Sequence, residues 1–257
     1  MTSPATNPPR ASSAMSADSA DAPWWRQPAA PAPAHILPFA GWIVWLLVDQ
    51  FCFDGGSGVR YALRTLTGLA LLLWLRPWRW YPAPQWRHLP LALGIGCLVW
   101  VVWVVPESEL FDRWPDLKEF YLRWLVMPFG RLPVRPHPSP YDPAVCGWAL
   151  TAIRLAGSAF VIAVIEEFFF RGFLYRWLSR VDFLKQPLTR FAPLAFLWMI
   201  LIFGAEHEQW AAGIFAGAAY GWLTIRTGNI WAAAWAHVLT NLLLGLYVIG
   251  SGRFGFW

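Results

Sequence analysis

From His35 onward the chain is divided into seven apolar runs, at about 36–53, 61–75, 89–105, 144–168, 191–206, 209–225 and 230–250. A helix crossing a bilayer needs roughly 17–25 such residues. In hydrocarbon each backbone N–H and C=O must find its partner inside the protein, which leaves helices or closed barrels as the spanning forms. The pattern predicts an all-α fold, a polytopic transmembrane helix bundle of about seven to eight helices. The second and fifth runs are short, which leaves room for a re-entrant helix. Composition agrees: 57% of residues are hydrophobic and only 14% charged, against about 25% charged in a soluble domain. That balance excludes a disordered chain and argues against a soluble enzyme.

Residues 1–34 are rich in Pro, Ala and Ser and read as a disordered tail, with Trp24 and Trp25 placed to touch the headgroup layer. No charged segment leads into an apolar core there, so the tail does not read as a cleaved signal peptide. Residues 35–257 form the predicted transmembrane domain. The net charge of +5 is spread around the apolar blocks, which does not make a nucleic-acid footprint. The lipid bilayer is the partner this composition implies. Cys52, Cys97 and Cys146 fall in or beside apolar runs without a CxxC spacing and read as small buried residues.

Loop charge suggests an orientation. Arg76, Arg79 and Arg87 lie between the second and third runs with no acid, and Arg171, Arg176, Arg180, Lys185 and Arg190 follow the fourth against Asp182 alone. Basic loops stay on the cytoplasmic side, so the expectation is a multi-pass protein of the cell (inner) membrane with a cytoplasmic N-terminus. Trp78, Trp80, Tyr81, Trp177 and Trp257 are placed as interfacial anchors. The 106–143 stretch mixes six acids with five bases and reads as either an amphipathic lid or a loop.

A charged side chain inside a spanning helix costs about 2.5–3.5 kcal/mol on insertion scales, so such residues are functional candidates. The first run holds Asp49, the second Arg64, and the fourth Arg154 with Glu166 and Glu167. Adjacent carboxylates point about 100° apart on a helix. Glu167 and Arg171, four apart, can pair, leaving Glu166 as a candidate general base. An ordinary solvated helix end would carry the same letters. Glu206, His207 and Glu208 end the fifth run, with Phe203 one turn before His207. His237 and Asn241 share a face of the last run, where one can transfer a proton and the other donate to an oxyanion. Each histidine alone could equally be a packing residue. Gly213, Gly217 and Gly221 form a small-residue seam for close helix packing.

In this order, Glu166-Glu167-x-x-x-Arg171, Phe203-x-x-x-His207 and His237-x-x-x-Asn241 resemble the CPBP family of intramembrane proteases, which includes the type II CAAX prenyl endopeptidases. The resemblance covers about 145–250. The stretch from Ala211 through Tyr220-Gly221-Trp222 to Asn229, with the Gly255-Phe256-Trp257 ending, resembles the CAAX-protease-related subgroup found with exosortase systems. The resemblance implies hydrolysis of a peptide bond in a membrane-associated or exported protein. Glu166 would activate water with help from His207, and His237 and Asn241 would stabilise the oxyanion. Glu167 and Arg171 would support them. The subgroup implies exosortase-system proteins as partners.

No cofactor is expected. The metal-dependent rival would place zinc on Glu166, His207 and His237 with an open water position, although the ligands are scattered singly along the sequence. A second rival is a non-catalytic membrane immunity or assembly factor that binds peptide in the same polar cavity.

Overall fold

The structure is a computed structural model, and it describes residues 30–257. The predicted tail, Trp24 and Trp25 included, lies outside the described residues except for its last five. Of these, 31–34 already belong to helix α1 (Pro31–Cys52). Proline opens that helix without loss, because the first N–H groups of a helix have no intrahelical partner.

No strand occurs among the described residues. After α1 come α2 (Gly58–Leu75), α3 (Leu89–Val104), the short α4 (Pro115–Tyr121), the long α5 (Trp148–Ser179), α6 (Pro193–Ala205), α7 (Trp210–Thr227) and α8 (Ile230–Ser251). Each of the seven apolar runs lies mainly in a helix. Among the described residues, four helices are long and apolar enough to cross a membrane: α1, the Trp86–Glu107 helix containing α3, α5 and α8. At 13 residues and 1.5 Å per residue, α6 is only about 20 Å long, against a hydrocarbon core of about 30 Å.

The fourth run extends further than its letters suggest. Helix α5 continues to Ser179, with π-helical turns at Gly157–Ile162 and Phe168–Leu174. Arg171 and Arg176 are therefore not loop cations. Both are buried, and Arg176 donates to the carbonyls of Gln186 and Leu184, each at 2.8 Å.

Two apolar clusters flank α5. One joins Phe170 to Val99, Met199, Phe203, Tyr220 and Ala236 of α3, α6, α7 and α8. The other joins Val161, Ile162 and Ile165 to Trp42 of α1 and to Tyr61 and Leu72 of α2. Helix α5 is thus surrounded on both sides, and its charged segment lies at the centre of the bundle. The glycine seam of α7 faces α6: a Cβ on Gly217 would stand 3.3 Å from the Ile200 backbone, and one on Gly221 would stand 2.8 Å from Phe196.

Two expectations change. Cys52 and Cys97 are exposed and Cys146 is partly so, because an apolar residue on a spanning helix can face lipid as readily as the core. Trp257 is drawn inward: the Arg154 guanidinium lies 5.4 Å from its ring, and the ring lines a central cavity.

Candidate functional site

The buried charges of α5 are held in a fixed order. Glu167 and Arg171 are one turn apart, and Nη1 of Arg171 lies 3.1 Å from Oε1 of Glu167, both side chains almost wholly buried. Arg171 also donates from Nη2 to the Gly217 carbonyl at 3.0 Å and covers the Phe203 ring at 4.4 Å. The glycine seam brings that carbonyl within reach.

The same Glu167 oxygen lies 2.9 Å from Nδ1 of His237 on α8. A carboxylate at Nδ1 holds the proton on that nitrogen and orients the ring, so Nε2 points away from it. Nε2 lies 3.6 Å from Oε2 of Glu166. The Tyr220 ring stacks on the imidazole at 4.8 Å, and its hydroxyl donates to Thr240 at 2.7 Å. Thr240 in turn lies 2.9 Å from the Gly96 carbonyl, which ties the histidine's wall to α3. One turn beyond His237, Asn241 donates from Nδ2 to the Ser158 carbonyl of α5 at 2.8 Å. An amide nitrogen has two N–H groups, so the second remains for another acceptor.

From the other side, α6 ends at Ala205 and the chain turns through Glu206 and His207 before α7. Nδ1 of His207 lies 2.7 Å from the Phe203 carbonyl, with the Phe203 ring at 4.8 Å and the Trp103 ring edge-on at 5.3 Å. A carbonyl accepts only, so Nδ1 carries the proton and Nε2 keeps a free lone pair. An oxygen of Glu166, an oxygen of Glu206 and a ring nitrogen of His207 lie within 4.8 Å of one another.

These groups share one cavity of about 320 Å³, lined by Glu166, Glu206, His207, His237 and Asn241 among others. Its wall also includes Arg64, Arg154 and Arg135. Residues on three separate apolar runs, 75 positions apart at the extremes, are brought together. Glu167 and Arg171 stand behind the cavity wall, where they hold His237.

The sequence motifs missed three participants. Glu206 is among the misplaced polar residues of the sequence but belongs to none of the three motifs, and only the fold places it beside Glu166. Tyr220 looked like part of an apolar helix, and Ser158 acts through its backbone, which no side-chain pattern reports. The metal-capable group also differs from the predicted trio. Glu206 stands in place of the His237 that the zinc rival would use.

Residues 148–243 match the family model for the Type II CAAX prenyl endopeptidase Rce1-like family. The matched Rce1-like segment runs from the start of α5 into α8 and contains every residue named in the three motifs. It covers over a third of the chain. Helices α1 to α4 lie outside it. No curated protein and no solved structure matches the chain.

Proposed function

We propose that this protein is an intramembrane endopeptidase that hydrolyses a peptide bond by glutamate-activated water. The observation that carries the reading is the convergence of Glu166, His207, His237 and Asn241 on one cavity inside an apolar bundle. The match to a family named for endopeptidases supports it.

Water held between Glu166 and Nε2 of His207 gives up a proton to the Glu166 carboxylate as its oxygen attacks the scissile carbonyl. The new C–O bond moves the carbonyl π electrons onto oxygen. His237 Nε2–H and the free N–H of Asn241 donate to that oxyanion, and the developing charge is stabilised because those donors are already in place. Glu167 balances an imidazolium at His237, and Arg171 balances Glu167. Collapse of the intermediate breaks the C–N bond, and Glu166 returns its proton to the departing amine. Base and acid are thus one group, and the proton Glu166 takes from water is the one it returns to the amine.

The substrate is a membrane-associated or exported protein, reached from within the bundle, and an exosortase-type sorting system is the setting that the subgroup resemblance favours. The test is comparative proteomics of membranes from cells carrying the wild-type protein or Glu166→Gln at equal abundance. An uncleaved membrane or exported protein should accumulate in the variant. Normal processing of every such protein by folded Glu166→Gln would refute hydrolysis and favour a non-catalytic assembly factor.

A metal-dependent variant of the same hydrolysis has one observation in its favour, the Glu166, Glu206 and His207 cluster. Two carboxylates and an imidazole suit zinc, and bound zinc would supply a water acidic enough to attack near neutrality. Metal analysis of purified protein, with chelator treatment of the cleavage reaction, separates the two. Stoichiometric zinc whose removal abolishes cleavage would replace the metal-free mechanism.

A further inference from the structure

Arg64 and Arg154 are two intramembrane charges for which the catalytic proposal has no use. Arg64 on α2 is 7% exposed, and no hydrogen bond or ion pair holds it among the described residues. Its guanidinium lies 4.7 Å from the Trp42 ring and 4.6 Å from the Tyr61 ring. Arg154 on α5 lies 4.3 Å from the same Tyr61 ring and donates to the Tyr61 hydroxyl at 2.9 Å. Nε of both arginines is buried without a partner. The acid of α1, Asp49, is taken by Arg60, and the Glu107 and Glu208 carboxylates are taken by Arg135.

Aromatic faces stabilise a guanidinium but leave its N–H groups unsatisfied. Two cations with free donors, and no acid between them, line the cavity that also holds Glu166. Arg154, Ser158, Ile162 and Glu166 recur every fourth residue along α5 and all line it, so they mark a track. That track measures roughly 18 Å at the α-helical rise, about five residues of extended peptide.

We propose that Arg64 and Arg154, gathered around Tyr61, form a carboxylate-binding subsite for the substrate peptide, holding a carboxylate within about five residues of the bond presented to Glu166. The proposal rests on the proteolytic reading for its geometry, and the binding it predicts can be measured without cleavage. The carboxylate comes either from the peptide C-terminus or from an acidic side chain. A planar guanidinium fork matches both sources equally.

The experiment uses the full chain carrying Glu166→Gln, reconstituted in phosphatidylcholine nanodiscs, and three decapeptide pools of random sequence. The first pool has free C-termini and no Asp or Glu, the second is the same but amidated, and the third is amidated with Asp and Glu allowed. Retained peptides are counted by mass spectrometry. Retention of the first pool at least tenfold over the second identifies the C-terminus as the source. Enrichment of acids at one position of the third pool identifies a side chain. Either preference should fall to within twofold in the Arg64→Gln/Arg154→Gln double variant and survive in part in Arg64→Lys/Arg154→Lys.

Absence of any carboxylate preference overturns the proposal, whether all pools are retained equally or none is. Survival of the preference in the double glutamine variant also overturns it, as does an equal loss of all three pools, which marks a structural role. An anionic phospholipid that co-purifies with the parent and is lost from the double variant would reassign the pair to lipid. Continued cleavage by Glu166→Gln in cells would refute the hydrolytic mechanism and leave the pool comparison standing.

Discussion

Nδ1 of His237 lies 2.9 Å from Oε1 of Glu167, on a helix that begins more than sixty residues further along the chain. That single carboxylate oxygen also receives Arg171 at 3.1 Å. Three buried ionisable groups therefore depend on one atom. The arrangement makes Glu167 the hinge between stability and chemistry, although it stands behind the cavity wall.

Removing one member of a buried pair leaves the other charge uncompensated, at a cost of about 3–5 kcal/mol. Arg171→Met should therefore lose stability on that scale, read as a lowered midpoint in denaturant unfolding of the detergent-solubilised protein. Glu167→Gln keeps the shape and a hydrogen-bond acceptor. It nonetheless leaves the buried Arg171 guanidinium and the His237 ring without their shared carboxylate, so it should be destabilised at least as much as Arg171→Met and lose cleavage by at least tenfold. Equal activity of Glu167→Gln and wild type would remove His237 from the proposed mechanism.

His207 is oriented by a main-chain carbonyl, which a side-chain substitution at Phe203 does not delete. Phe203→Leu should then reduce cleavage only a few-fold, through loss of ring packing. His207→Ala should reduce it by about 10²–10⁴, the usual worth of a positioned acid–base group. Measured on the substrate that accumulates with Glu166→Gln, a His207→Ala rate within threefold of wild type would contradict the assignment.

The α6–α7 contact is tight enough to be tested by adding one methyl group. A Cβ on Gly221 would stand 2.8 Å from Phe196 and 2.9 Å from Met199, both side-chain atoms, and one on Gly213 would stand 3.0 Å from the Gly204 backbone. Side chains can give way where backbone cannot. Gly213→Ala is therefore expected to be the more destabilising, by about 1–3 kcal/mol, and thermal unfolding of the two variants in the same detergent ranks them.

Arg135 links the 106–143 segment to the site, contacting Glu107 at 2.8 Å and Glu208 at 2.9 Å. Arg135→Ala should loosen that segment while leaving the buried Glu167–Arg171 pair intact. Limited proteolysis should cut faster between residues 106 and 143, with global unfolding little changed. An unchanged cleavage pattern would show that the segment is held by its other contacts, such as the Arg253 donation to the Glu107 carbonyl at 3.0 Å.

Much of the site was legible because charge is expensive in an apolar helix. Glu166, Glu167, Arg171, His207, His237 and Asn241 stand out against their neighbours, and four-residue spacing predicts the Glu167–Arg171 pair before any coordinates are seen. What spacing could not give was identity of partner across helices. It ranked Glu206 with Glu208, yet the turn after α6 brings one into a cluster with Glu166 and joins the other to Arg135. Run boundaries also put Arg176 among the loop cations after the fourth run, since a run of letters ends at its first charge while a helix ends where its backbone does.

By itself, then, the sequence determined an all-helical bundle of apolar runs and which of its few polar residues were out of place there. Both follow from hydration, because hydrocarbon penalises unsatisfied backbone and side-chain charge alike. Only the tertiary structure decided which misplaced groups face one another. Helix α5 is enclosed between two apolar clusters, the α7 glycines admit α6 and the Arg171 donor, and the turn at Glu206–His207 closes over Glu166. Those are matters of close packing between distant segments, and local composition does not encode them.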